Sequence, residues 1–225
     1  MRRRIAMFFV LYAASSCYAG VIYVNGDPFA DTGTHYSKSD TIGSSQIMAD
    51  NFQLGTDAII NSVRWWGAWN FFTPAQDDFT VNFYADNAGL PDSTILIASR
   101  NVGNVVETST GLSRSGNPAF PEPLFEFQSD IAPVSLSAAT DYWISIYESS
   151  GTNDSQYFLW RENAEGSAAR SLDGGLSWSG RIRELAFQLE GETAAVPEPS
   201  SLSLFLMGCA GVAVAKRRRK WLTKA

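Results

Sequence analysis

The feature of the sequence that most limits its fold is an alternation of residue character with period two, carried in short runs broken by Gly, Asn, Asp and Pro. In the clearest run Tyr142, Ile144 and Ile146 fall on one face, while Trp143, Ser145 and Tyr147 fall on the other. That is the pattern of a strand laid against a core, and the first set is expected to point inward. Comparable runs occur at 21–24, 46–54, 59–66, 79–85, 94–98, 102–107, 124–128, 156–160 and 185–189. No longer stretch among them carries a helical stripe, so the expected class is all-β: a single β-sandwich or jelly-roll domain over residues 20–192. Both cysteines, Cys17 and Cys209, lie outside that span. The domain therefore has neither a disulfide nor a thiolate metal site and must be stabilised by packing alone.

Charge is divided along the chain. Of 17 basic residues, Arg2, Arg3 and Arg4 open the sequence and six more close it, which leaves eight in the body with all 23 acidic residues, a formal balance of −15. A body so acidic is repelled by phosphate backbones, which excludes nucleic-acid binding.

The two ends read as addresses. Residues 1–19 have a basic start, an apolar stretch and small residues up to Ala19, the layout of a signal peptide cut by signal peptidase before Gly20. Ala14-Ser15-Ser16-Cys17 is a weak lipidation motif, with Ala14 where a large aliphatic residue is usual. At the other end a linker at 193–199 contains Pro197-Glu198-Pro199, an apolar segment follows at 200–215, and a basic tail closes the chain at 216–225. A helix over 200–215 is about 24 Å long at about 1.5 Å per residue, against about 30 Å of hydrocarbon. It spans as a transmembrane helix if its ends sit in the headgroups, with the basic tail cytoplasmic. The two prolines hold the chain extended before it, in a form open to a protease.

This tripartite tail resembles the PEP-CTERM sorting signal of exported bacterial proteins, with Pro197, Glu198, Pro199, Arg217, Arg218 and Arg219 as the motif residues. The resemblance implies processing by an exosortase, with this chain as substrate. It also implies export across the inner membrane, transient anchoring there, and delivery to the cell surface or an exopolysaccharide matrix. The body, from DNFQL at Asp50 through DYWISIYES at Asp141 to LAFQLEGE at Leu185, looks like the small β-sandwich ectodomains that precede such tails.

Residues that would carry chemistry are few. There is no H-E-x-x-H, G-x-S-x-G or phosphate-loop motif, and the one histidine, His35, lies in a polar segment, so neither an enzyme nor a cofactor is expected. Asp77-Asp78 and Asp86-Asn87 offer oxygen ligands for calcium but flank a strand at opposite ends, so no metal site is expected. Residues 171–178 match the S-x-D-x-G-x-x-W pattern of the Asp-box, a structural hairpin turn that recurs once per blade in sialidase-like propellers; a single copy argues against a propeller. Aromatic faces suit sugar rings, and Trp66, Trp69 and Trp143 are the candidate sugar contacts. Strand alternation puts Trp65 in the core and Trp66 on the outer, exposed face. The expected function is a non-catalytic surface or matrix protein associated with exopolysaccharide; the alternatives are a secreted glycan hydrolase and a calcium-dependent carbohydrate-binding module.

Overall fold

The computed structural model describes residues 20–26, 36–41, 45–70, 76–113, 123–150, 157–163 and 166–193. The signal peptide, His35, the linker, the apolar segment and the basic tail fall outside them, as do Pro197, Glu198, Pro199, Arg217, Arg218 and Arg219. Fourteen strands are formed: β1 (Gly20–Asn25), β2 (Tyr36–Lys38), β3 (Ile47–Gln53), β4 (Ala58–Trp69), β5 (Phe79–Asp86), β6 (Pro91–Gly103), β7 (Glu107–Ser113), β8 (Pro123–Leu136), β9 (Asp141–Glu148), β10 (Phe158–Asn163), β11 (Ala168–Ser171), β12 (Ser179–Arg181), β13 (Glu184–Leu185) and β14 (Phe187–Thr193). They make two antiparallel sheets. In the six-stranded sheet the order is β12-β11-β3-β9-β5-β6. The eight-stranded sheet is built around β4, which pairs with β8 on one side and with β14 and then β10 on the other. No helix appears among the described residues.

Alternation decides what lies between the sheets. Tyr142, Ile144 and Ile146 enter the main core, as expected, beside Phe52, Val81 and Phe83 of the same sheet. From the other sheet come Val63, Trp65, Trp69, Phe127, Phe158, Phe187 and Leu189. Gly67 is required where β10 closes on β4, because a Cβ there would lie 2.2 Å from the Phe158 ring and 2.7 Å from the Leu159 carbonyl.

Three sequence expectations change. The runs at 94–98 and 102–107 are not two strands: β6 is continuous from Pro91 to Gly103, and the chain turns at Gly103, with φ of 62°, before β7 starts at Glu107. The short strands β2, β11 and β12 were not anticipated. Third, Trp66 does leave the outer face of β4, yet it is only 5% exposed. Its ring is covered by Tyr36 of β2, Leu124 of β8 and Ala186, so facing away from the core does not mean facing water.

Both members of the pair are therefore packing residues. Trp65→Ala and Trp66→Ala should each lose about 3–5 kcal/mol of unfolding free energy in urea melts. A near-native midpoint for Trp66→Ala would show that the Tyr36 cover is not formed in solution.

Candidate functional site

The Asp-box sequence forms the hairpin between β11 and β12, as its pattern requires. Asp173 Oδ1 accepts hydrogen bonds from the Ser171 hydroxyl at 2.7 Å and the Ser177 amide at 2.9 Å, and Oδ2 accepts the Ser177 hydroxyl. These donors hold the Asp173 carboxyl down at about 2, the Ser177 hydroxyl contributing most. Gly174 and Gly175 take the positive φ values of 74° and 92° that the turn demands. Trp178 then lies edge-on to Tyr84, with ring centroids 5.6 Å apart, over the outer face of the six-stranded sheet. Beneath it Tyr84, Trp143, Ala49 and Ala169 form a second apolar cluster. The hairpin is a cover for that face.

This packing settles where the candidate sugar contacts lie. Trp143 is 1% exposed, and its indole N–H donates to Asp86 Oδ1 at 2.7 Å. Trp69 is 4% exposed and donates to Glu107 Oε1 at 2.6 Å. With Trp66 under Tyr36, none of the three presents a ring face to solvent, and the structure does not bring them together on one surface. The expectation is corrected: Trp69 lies in the core between the sheets, and Trp66 and Trp143, though on outer faces, are covered by side chains of neighbouring strands and by the Asp-box turn. Trp178, assigned to packing by its motif, is half-buried and the most accessible indole among the described residues.

Acidic groups cluster at the end of the sandwich where β5 begins. Asp77, 7% exposed, faces Glu107 and Glu148, and its Oδ2 is buried with no hydrogen-bond partner among the described residues. Burial pushes its carboxyl up to about 7, the neighbouring Glu107 and Glu148 add to the effect, and the Val105 amide opposes it. Glu107 is also raised by burial, against the Trp69 hydrogen bond. Asp78 is different: its carboxylate accepts Asn101 at 2.7 Å and Ser149 at 2.9 Å. Asp86 sits at the far end of β5, as the sequence indicated. No three His, Cys, Asp or Glu side chains among the described residues are grouped to hold a metal ion. Elsewhere Asp50 is fully buried on β3, where burial raises its carboxyl well above the usual range while the amides of Leu185 and Asn51 and the side chain of Asn25 partly offset it. These two perturbed carboxyls are closed in by protein.

Polar side chains on the outer face of the eight-stranded sheet are engaged with one another. Arg64 meets Glu126 at 2.8 Å, Glu190 at 3.2 Å and Gln128 at 3.0 Å, all across paired strands. Such exposed ladders add little stability per pair and leave few free donors.

Residues 22–190 of this sandwich match the family described as a domain of unknown function (DUF7901). The chain belongs to the DUF7901 family. Residues 195–220 match the PEP-CTERM protein-sorting motif, so this DUF7901 chain is a PEP-CTERM protein with a β-sandwich ectodomain. The motif marks it for export to the cell surface or extracellular space and for processing by an exosortase. No curated protein and no solved structure matches the chain. The DUF7901 match runs from β1 into β14, so every described strand except the ends of these two lies within it.

Sequence reasoning missed the acidic end of the DUF7901 domain. Asp77, Glu107 and Glu148 are remote in the chain and meet only through the β5–β9 pairing and the β7 turn. The unfolded Asp77 loses its proton near pH 4, whereas the folded one keeps it to about 7, so stability falls as pH rises between those values. Asp77→Asn cannot ionise. Its thermal midpoint relative to wild type should climb from pH 4 to pH 7 and then level off; a constant difference across that range would rule out a folded-state shift at Asp77.

Proposed function

We propose that the protein is a non-catalytic component of the cell surface or extracellular matrix that associates with exopolysaccharide. On this reading a signal peptide at 1–19 is removed on export, and residues 200–215 hold the chain in the inner membrane until the exosortase acts. The observation that carries the proposal is the sorting motif, which begins at residue 195, directly after a folded unit ending at Thr193. Support for the non-catalytic part comes from the buried positions of Asp50 and Asp77, which leave them out of reach of a polymer.

Replacing Pro197, Glu198 and Pro199 by alanine in the producing cell should leave the chain at its unprocessed mass and in the membrane fraction. Wild type should be shorter at its C-terminus and recovered with surface polysaccharide. An unchanged mature C-terminus in the variant overturns the sorting part. Purified wild-type protein should be retained by the producer's own polysaccharide without releasing reducing ends, whereas release of reducing ends would establish the hydrolase alternative.

A further inference from the structure

Donors and acceptors are out of balance on the outer face of the eight-stranded sheet. Register places two rows of side chains there: Gln188, Arg64 and Gln128 in one, Glu190, Ser62 and Asp130 in the next. Glu126 and Thr108 continue the face on β8 and β7. The strong donors are engaged. Arg64 gives its two terminal nitrogens to Glu126, Glu190 and Gln128, its Nε is buried out of a ligand's reach, and the Gln128 amide donates to Ser62 and Glu190. Acceptors are left over. Glu126 uses one carboxylate oxygen on Arg64, and the exposed Asp130 carboxylate accepts nothing among the described residues. A ligand of this face must therefore be a donor.

The two incompletely satisfied carboxylates line a groove. It holds about 370 Å³ between Val106, Thr108, Glu126, Gln128 and Asp130, within the range of small-ligand sites. Val106 is 78% exposed, so a bare aliphatic side chain stands beside the polar floor. Glu126 and Asp130 are four residues apart on one face of β8, about 13 Å at about 3.3 Å per residue. That is more than one sugar ring spans, so the pair is set to meet successive units of a polymer. The face carries Glu126, Asp130 and Glu190 against Arg64 as its one guanidinium, a negative surplus like that of the body as a whole. A polyanion is repelled here and a neutral sugar gains nothing from the surplus, whereas an ammonium group finds both a charge partner and an acceptor.

We propose that the groove at the β7–β8 edge binds an amino-sugar polysaccharide, with Asp130 and Glu126 accepting hydrogen bonds from ammonium and hydroxyl groups of successive units and Val106 against a ring face. The proposal rests on the exopolysaccharide reading above and names the class of polymer and the place of contact. Attraction between opposite charges is screened, so affinity falls steadily as salt rises. Binding to a neutral sugar would ignore salt.

The test uses the full chain in detergent at about pH 6, above the carboxylate range and below that of an amine. Soluble glucosamine oligomers, their N-acetylated counterparts and the producer's polysaccharide are titrated calorimetrically from about 0.05 to about 0.5 M NaCl, which shortens the Debye length roughly threefold. Wild type should bind the glucosamine oligomers, lose affinity as salt rises, and bind the N-acetylated ones at least about tenfold more weakly. Asp130→Asn removes one exposed charge from the groove and should weaken binding about five- to tenfold. Asp141→Asn removes the same charge from the six-stranded sheet and should change affinity less than about twofold. Thr108→Arg, which puts a cation into the groove, should abolish binding. Tryptophan-monitored melts verify that each variant is folded. If the two Asp variants lose affinity alike, the attraction is diffuse and the groove is wrong while the matrix reading stands. If wild type holds the producer's polymer but binds the N-acetylated oligomers as well as the amine ones, or binds neither, the amino-sugar class is wrong and the matrix reading again stands. If wild type retains no polysaccharide at all, both fall. Binding of polylysine in place of glucosamine oligomers would assign the groove to a basic protein segment and overturn the proposal.

Discussion

The structure depends on a layer of aromatic rings clamped between two sheets that share no covalent link. Phe79 of the six-stranded sheet reaches across to Trp65 and Phe127, both at 5.2 Å, and to Phe158 at 5.0 Å with an 88° interplanar angle. Trp65 and Phe127 are stacked at 5.6 Å and 8° on paired strands. A second bridge joins Phe52 to Phe187 at 6.1 Å and to Tyr23 at 5.6 Å. Large rings bury much area for few rotatable bonds, which suits a domain without disulfides. The tilted and edge-on geometry also fixes which sheet positions can face each other.

Outside that layer each sheet carries a small apolar cluster on its outer face. Trp66 lies under Tyr36 and Leu124, and Trp143 belongs to the cluster capped by the Asp-box hairpin. Each outer face thus has its own small core. At one end of the sandwich the buried Asp77 and Glu148 meet the partly buried Glu107.

How much of this was legible in the sequence follows from how local each signal is. The Tyr142, Ile144, Ile146 alternation and the Asp173 turn are written within a few residues, and both appear in the structure as read. The sorting signal is equally local. Strands β11 and β12 escaped notice because Ala168-Ala169-Arg170-Ser171 and Ser179-Gly180-Arg181 contain no β-branched residue, and they become strands by pairing with β3 and each other. The exposure of Trp66 was misjudged for a related reason. Period two tells which face a side chain leaves, but the cover over that face comes from residues 36, 124 and 186, which no local pattern connects. The acidic end is likewise a product of register.

The first strand of the sandwich has its ladder partner almost at the far end of the domain: β1 pairs with β14 alone, Gly20 opposite Gly191. A chain made from its N-terminus therefore has β1 with no partner strand among the described residues until residues 187–191 follow. Ile22 and Tyr23 wait with it, since they pack on the main core from this strand. Long-range pairings of this kind form late. The last strand to arrive is also the one that runs into the sorting motif, so completion of the sheet and presentation of the cleavage signal are close together in time. The strand that closes the sheet is thus the one that leads into the sorting motif, and a chain able to complete β1 is already synthesised up to its processing signal.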